Sequence, residues 1–202
     1  MAAKTRKDDA ETAQRILDAA TERFVQFGYN KTTMAEIAQS CDMSAANLYR
    51  YFQNKLDIGA NLAGNCLSSK LAQLSEVVQQ QDRPAGERLQ ALVLRSLEYT
   101  YGEWSGNPRM NEMVTAICAE RHDIVKQYKA GEHALLVTLL ESGIQRGEFS
   151  VPDVDDAASA IATATSIFNL PTMMPMYPLE VFREKANSVV RLLLNGLLKR
   201  QH

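Results

Sequence analysis

Charge of one sign is what this sequence most plainly lacks: 22 basic residues stand against 24 acidic ones in 202 positions. Such a balance gives no global field for coating nucleic acid or a charged membrane, although a local patch still suffices for a specific contact. Cysteine is scarce too. Cys41, Cys66 and Cys118 are odd in number, widely spaced and without a C-x-x-C pair, so reduced, mostly buried thiols are expected. No apolar run reaches the length of a membrane span, and the richest, VVRLLLNGLL, is interrupted by Arg191 and Asn195. The polar start MAAKTRKDDAETAQ lacks the apolar core of a signal peptide, which points to a soluble, cytoplasmic protein.

Catalytic constellations are equally absent. His122, His133 and His202 pair with no recognisable nucleophile motif, and Glu132-His133 and Glu120-x-His122 lack the Glu-x-x-His spacing of helix-bundle metal sites. There is no glycine-rich phosphate loop. No enzyme, metal site or cofactor is therefore expected.

What is present is helical periodicity, on a composition 46% hydrophobic and 23% charged that suits a packed protein. A first helix is expected over about Asp9–Phe27, with Ile16, Leu17, Ala20, Phe24 and Phe27 on one stripe and Gly28 as its stop. Thr33-x-x-Glu36 is a capping box, opening a short helix with Met34, Ile37 and Ala38 inward. Ser44 caps a third helix, anchored by Leu48 and Phe52. Longer helices are expected near 56–78, 85–104, 108–118, 123–144, 153–170 and 178–198. The fold expected is all-α: an N-terminal helix-turn-helix domain over residues 1–55, and a larger helical domain over 56–202 joined to it by a long helix.

Two short helices joined by a tight turn have the spacing of a helix-turn-helix. Ala45 and Ala46 let the backbone approach a DNA edge, Asn47 offers the donor and acceptor that read adenine, and Arg50 suits guanine or phosphate. The hydroxyls of Thr32, Thr33, Ser44, Tyr49 and Tyr51, the ammonium of Lys55 and the helix starts at Thr33 and Ser44 suit phosphate oxygens. Capping alone accounts for Thr33 and Ser44, and packing for a tyrosine pair. Their conjunction at this spacing favours DNA. Lys4, Arg6 and Lys7 add a short basic arm, or a solvated terminus.

The stretch GYNKTTMAEIAQSCDMSAANLYRYFQNKLDI resembles the DNA-binding region of the TetR family of transcriptional regulators. The likeness rests on Gly28, Tyr29, Thr32, Thr33, Ile37, Ala38, Ser44, Leu48, Tyr49, Tyr51, Phe52 and Lys55. By that resemblance, Thr33, Ser44, Tyr49, Tyr51 and Lys55 contact phosphates, and the exposed face of residues 45–50 reads bases. Two features depart from the family's common pattern. Its Ala-Gly-Val-Ser turn is Cys41-Asp42-Met43-Ser44 here, and Ala46 replaces a frequent glycine. Asp tolerates the left-handed backbone that a glycine would serve, at some cost.

The last helices carry apolar stripes. One includes Phe182, Val189, Leu193 and Leu197, and another Ile161, Ala164 and Phe168. Either can face its own core, but the resemblance implies a two-fold homodimer built on the last two helices, which also doubles the contacts of a short reading helix. The Met- and Pro-rich stretch NLPTMMPMYP, with Met173 and Met174, is adaptable filler. Together with Tyr99, Trp104, Met110, Met113, Ile117 and Phe168 it is a candidate lining for a ligand pocket, or plain loop packing. The existence of a pocket follows from the resemblance alone. The function expected is a repressor that binds a pseudo-palindromic double-stranded DNA operator and is released by a small, largely apolar effector through a population shift. A DNA-bound scaffold that recruits a protein partner is the alternative.

Overall fold

The computed structural model describes residues 2–107 and 109–197, with side chains placed for 8–107 and 109–196. The side chains of Lys4, Arg6, Lys7 and Leu197, the whole of Pro108 and the last five residues lie outside that description. Among the described residues the elements are helices: α1 (Ala2–Phe27), α2 (Met34–Ser40), α3 (Ala45–Leu48), α4 (Lys55–Val78), α5 (Ala85–Trp104), α6 (Met110–Glu120), α7 (His122–Gln145), α8 (Val154–Thr165) and α9 (Leu179–Leu197). Two 3-10 segments, Ser166–Asn169 and Pro171–Met176, link α8 to α9. Among the described residues no helix is long and apolar enough to cross a membrane.

The chain forms two compact units. One takes residues 1–66 and 107–125, the other 67–106 and 126–202. Helix α4 therefore gives its first half to one unit and its second half to the other, and α6 belongs with the helix-turn-helix.

The first unit is built on the stripe of α1. Ile16, Leu17, Ala20 and Phe24 are buried, as are Ile37 and Ala38 of α2, Leu48 of α3, Phe52 and Ile58. Each of the leucine, isoleucine and phenylalanine side chains contributes about 1.5–3 kcal/mol by leaving water. Phe27, expected on the same stripe, is exposed instead, with the Arg23 guanidinium 4.8 Å over its ring. Gly28 ends α1 at φ +92°, a conformation that favours glycine, and Glu112 of α6 leaves little room for a Cβ there. Helix α1 also begins earlier than the expected Asp9.

The second unit packs α5 against α9, and α8 against α9. Its core includes Leu89, Leu97, Leu139, Ile161, Phe168, Met174 and Phe182. Phe182 gathers edge-on contacts from Tyr101, Phe168 and Tyr177. The helix expected over 153–170 stops at Thr165 and tightens into the 3-10 turn. Its start is firm: Asp153 accepts hydrogen bonds from the amides of Asp155 and Asp156 at 2.9 and 3.0 Å. Beyond its end the Asn169 side chain turns inward to a polar cluster.

Two faces differ from the expected pairing surface. Ile161 and Phe182, placed there by periodicity, are fully enclosed within this single chain, so no partner can reach them. Ala164 is exposed, Val189 and Leu193 are partly so, and Leu192 stands out 72% exposed.

Candidate nucleic-acid interface and buried polar cluster

The turn between α2 and α3 is a Schellman motif with aspartate in the glycine position. The Met43 amide donates to the Ala38 carbonyl at 3.0 Å and the Asp42 amide to Gln39 at 3.1 Å, with Asp42 at φ 53°. Arg15 of α1 steadies this turn, donating to the Cys41 carbonyl at 3.1 Å, while the Cys41 thiol donates to the Arg15 carbonyl. Burial pushes that thiol's pKa up. Sequence reasoning missed Arg15, whose only signal is a cation beside the apolar stripe.

Ser44 caps α3, its hydroxyl accepting from the Asn47 amide at 3.2 Å. Beyond Leu48 the chain continues as turns, with the amides of Arg50 and Tyr51 bonded three residues back. Tyr49 is 52% exposed, and Ala46, Arg50 and Ser44 are exposed beside it. Asn47 and Ala45 are half-buried. The Arg50 guanidinium reaches the Asn47 amide oxygen at 3.4 Å. These residues share one accessible edge whose hydroxyls, guanidinium and amide are the groups that meet phosphates and base edges.

Other expected contacts are spent within the protein. Thr32 is buried, its hydroxyl donating to the Gly28 carbonyl at 2.8 Å. The Lys55 ammonium donates to the carbonyls of Tyr29 at 2.6 Å, Thr32 at 2.9 Å and Asn30 at 3.3 Å, and lies 4.4 Å over the Tyr29 ring. Burial lowers its pKa. Thr32 is enclosed and Lys55 half-buried, and both brace the loop that leads into α2. Tyr51 is half-buried, its hydroxyl 3.3 Å from Asp9 on α1.

At the start of α2 the capping box closes as expected. The Thr33 amide and hydroxyl both donate to Glu36 at 2.8 Å, and the Glu36 amide returns a bond to Thr33. These bonds, led by the hydroxyl, hold the Glu36 carboxyl below the usual range, and Arg23 pairs with it at 3.1 Å. The carboxylate thus occupies the donors that a phosphate was expected to take. From α6, Glu112 accepts the Asn30 amide at 2.8 Å and Arg109 donates to the Gln26 carbonyl.

The candidate ligand residues divide between the units. Met110, Met113 and Ile117 are buried in the first, where Met113 and Ile117 crowd Gly59. Phe168 and Met174 are buried in the second, and Tyr99, Trp104 and Met173 are half-buried there.

The second unit also holds a polar cluster that sequence reasoning did not single out. Lys70 of α4 is only 3% exposed and Glu132 of α7 9%. The Lys70 ammonium donates to Thr100 at 2.7 Å and to the Asn169 amide oxygen at 3.3 Å, and lies 5.4 Å from the Tyr128 ring centroid. Ser96 donates to the same Asn169 oxygen. The Asn169 nitrogen donates to Glu132 at 2.7 Å, and the Tyr128 hydroxyl reaches that carboxylate at 3.4 Å. Burial raises the Glu132 pKa, with Lys70 partly offsetting it. The sequence signal was there: Lys70, Ser96 and Thr100 fall on the apolar stripes of α4 and α5, where a polar residue has to find partners.

Comparison with known proteins matches both parts of the chain to one family. Residues 16–59 match the family described as bacterial regulatory proteins, tetR family, and residues 85–190 match the tetracyclin repressor-like C-terminal domain. The transcriptional regulator AcrR of Shigella flexneri is 38% identical over 58 residues, which are 29% of this chain and 27% of AcrR. The chain thus spans about a quarter of the length of the curated relatives it matches. Among solved structures, a protein of Mesorhizobium loti assigned to the TetR family aligns with a TM-score of 0.74 at 19% identity, over 95% of this chain and 98% of that one. The regulator FadR of Bacillus subtilis, in complex with stearoyl-CoA, aligns with a TM-score of 0.67 at 23% identity, over 91% and 98%. At these identities the structural likeness speaks for the fold alone.

Proposed function

The chain belongs to the TetR family of bacterial regulatory proteins, and on that premise we propose that it represses transcription by binding a pseudo-palindromic operator as a homodimer, and that a small, largely apolar effector releases it. The observation that carries the DNA reading is the exposed edge of Ser44, Ala46, Tyr49 and Arg50, flanked by Ala45 and Asn47, on a turn pinned by α1. Thr33 and Tyr51 border this edge, while Thr32 and Lys55 act through the loop they hold. Residues 1–55 serve as the DNA-binding domain and 56–202 as the sensing and pairing domain.

Pairing uses the exposed flank of α8 and α9, with Ala164, Val189, Leu193 and Leu192 facing the partner. An effector is supported by FadR having been crystallised with stearoyl-CoA, and by a core that mixes apolar side chains with buried polar ones. The test is selection of bound fragments from a genomic DNA pool by the full chain. A two-fold repeated site is expected. Arg50→Ala should weaken binding to it about tenfold or more, by the loss of one bidentate base or phosphate contact, without changing the unfolding temperature. Selection of no fragment, or unchanged affinity in that variant, overturns the assignment.

A further inference from the structure

In the polar cluster of the second unit, Asn169 behaves as a ligand would. Its carbonyl oxygen takes two donors, Lys70 and Ser96, and its amide nitrogen gives a proton to one acceptor, Glu132. The socket that receives it is made by α4, α5 and α7, and is braced by Lys70 on Thr100 and Tyr128 on Glu132. The plug comes from different material. Asn169 ends a four-residue 3-10 turn and is followed by Pro171–Met176, a second 3-10 segment with Pro175 inside it. Such segments have poorer hydrogen-bond geometry than α-helix, and Leu170 and Met176 beside the plug are exposed. A firm receptor and a soft occupant make the occupant the part that can leave.

We propose that this socket is the polar anchor of the effector site, that it recognises a carbonyl with an adjacent N–H (a carboxamide, lactam or urea), and that Asn169 fills it when the effector is absent. The inference rests on the effector-responsive reading above and names the chemistry of the effector. The donor pattern decides the class. A carboxylate in the same place would set a second negative oxygen against Glu132, where Asn169 now offers a proton. An alcohol carries its donor and acceptors on one oxygen, so it cannot span both sides as the separate oxygen and nitrogen of an amide do, and an unmet buried polar group is costly. The remainder of the effector is apolar, because the segment bearing the plug lies among Phe168, Met174 and Phe182. Displacing Asn169 would free the connection between α8 and α9, the helices assigned to pairing. A change at the socket would thereby reach the spacing of the two reading heads.

Competition with a built-in plug weakens the apparent affinity of any ligand by the fraction of molecules whose socket is open. Removing the plug should therefore tighten binding of a simple amide. The experiment compares wild type and Asn169→Ala, both as the full chain, by thermal unfolding and calorimetry with propionamide, sodium propionate and 1-propanol. Propionamide should raise the unfolding temperature of the variant toward that of wild type and bind it about tenfold more tightly than wild type. Propionate and propanol should do neither. Adding Glu132→Gln to that variant should erase the preference for amide over acid. Should Asn169→Ala fail to fold, Asn169→Ser with acetamide replaces it. The proposal is overturned if propionamide fails to stabilise the variant, or if propionate stabilises it equally. These readouts involve no DNA. If the wild-type chain selects a DNA fragment while the amide effect is absent, this proposal falls and the regulator stands. If the amide effect is present and no fragment is selected, the regulator reading falls.

Discussion

Helix α4 carries two lysines whose ammonium groups are both engaged by groups of the protein itself, and they are held in opposite ways. Lys55, at the start of the helix, is held by the backbone carbonyls of one short loop. Lys70, further along, is held by side chains that come from α5 and from the 3-10 turn after α8. Backbone carbonyls of a loop do not rotate away singly, so Lys55 sets a fixed conformation. Side-chain partners carry their own rotamers, so the contacts of Lys70 depend on how separate segments pack together. The first unit thus keeps its variable chemistry outside, on Tyr49 and Arg50, while the second keeps it within.

The largest effect should come from breaking the interior cluster. Lys70→Met removes the cation from beside a buried carboxyl, and about 3 kcal/mol of stability should be lost, read from urea unfolding. A loss under about 1 kcal/mol would mean that the cluster is no more than a surface-like contact. Lys55→Met leaves the carbonyls of Tyr29 and Thr32 without their donor and should cost about 2 kcal/mol. It should also weaken binding to every DNA sequence alike, without altering the salt dependence. A reduced salt slope would return Lys55 to the phosphate contacts.

Glu132→Gln tests the same contrast through pH. The folded protein holds the Glu132 proton more tightly than the unfolded chain does, because burial raises its pKa. Wild-type stability from this group is therefore greatest below the ordinary carboxyl range and falls as pH rises through the raised folded value. The variant lacks that fall, so its urea midpoint should gain on wild type as pH rises. Parallel profiles would remove Glu132 from the account. The smallest effect belongs to Asp42→Gly, which relieves a left-handed backbone in the reading unit and should add roughly 0.5 kcal/mol, the left-handed strain less the entropy cost of glycine. A destabilised variant would show that the Asp42 side chain has a positive role.

Much of the reading unit was legible because its cues are local. The capping box at Thr33–Glu36, the Ser44 cap and the left-handed Asp42 turn each involve residues within a few positions, and all three stand as expected. The engagement of Thr32 and Lys55 within the protein was not legible for one reason: their partners are backbone carbonyls, which carry no sequence signature. The pairing stripe failed in part for another. Periodicity states that one face of α8 and of α9 is apolar, but Ile161 and Phe182 show that their side of it is this chain's own core.

The sequence by itself determined the helices, their caps, the reading turn and the family likeness, because spacing, hydroxyl caps and stops act over a turn or two of chain. Only the tertiary structure decided which polar groups are free and which are spent. Lys70, Ser96, Thr100, Glu132 and Asn169 span a hundred positions of sequence, and no local rule joins them. Burial joins them, since each polar group taken from water must find a partner in whatever segment the fold brings near.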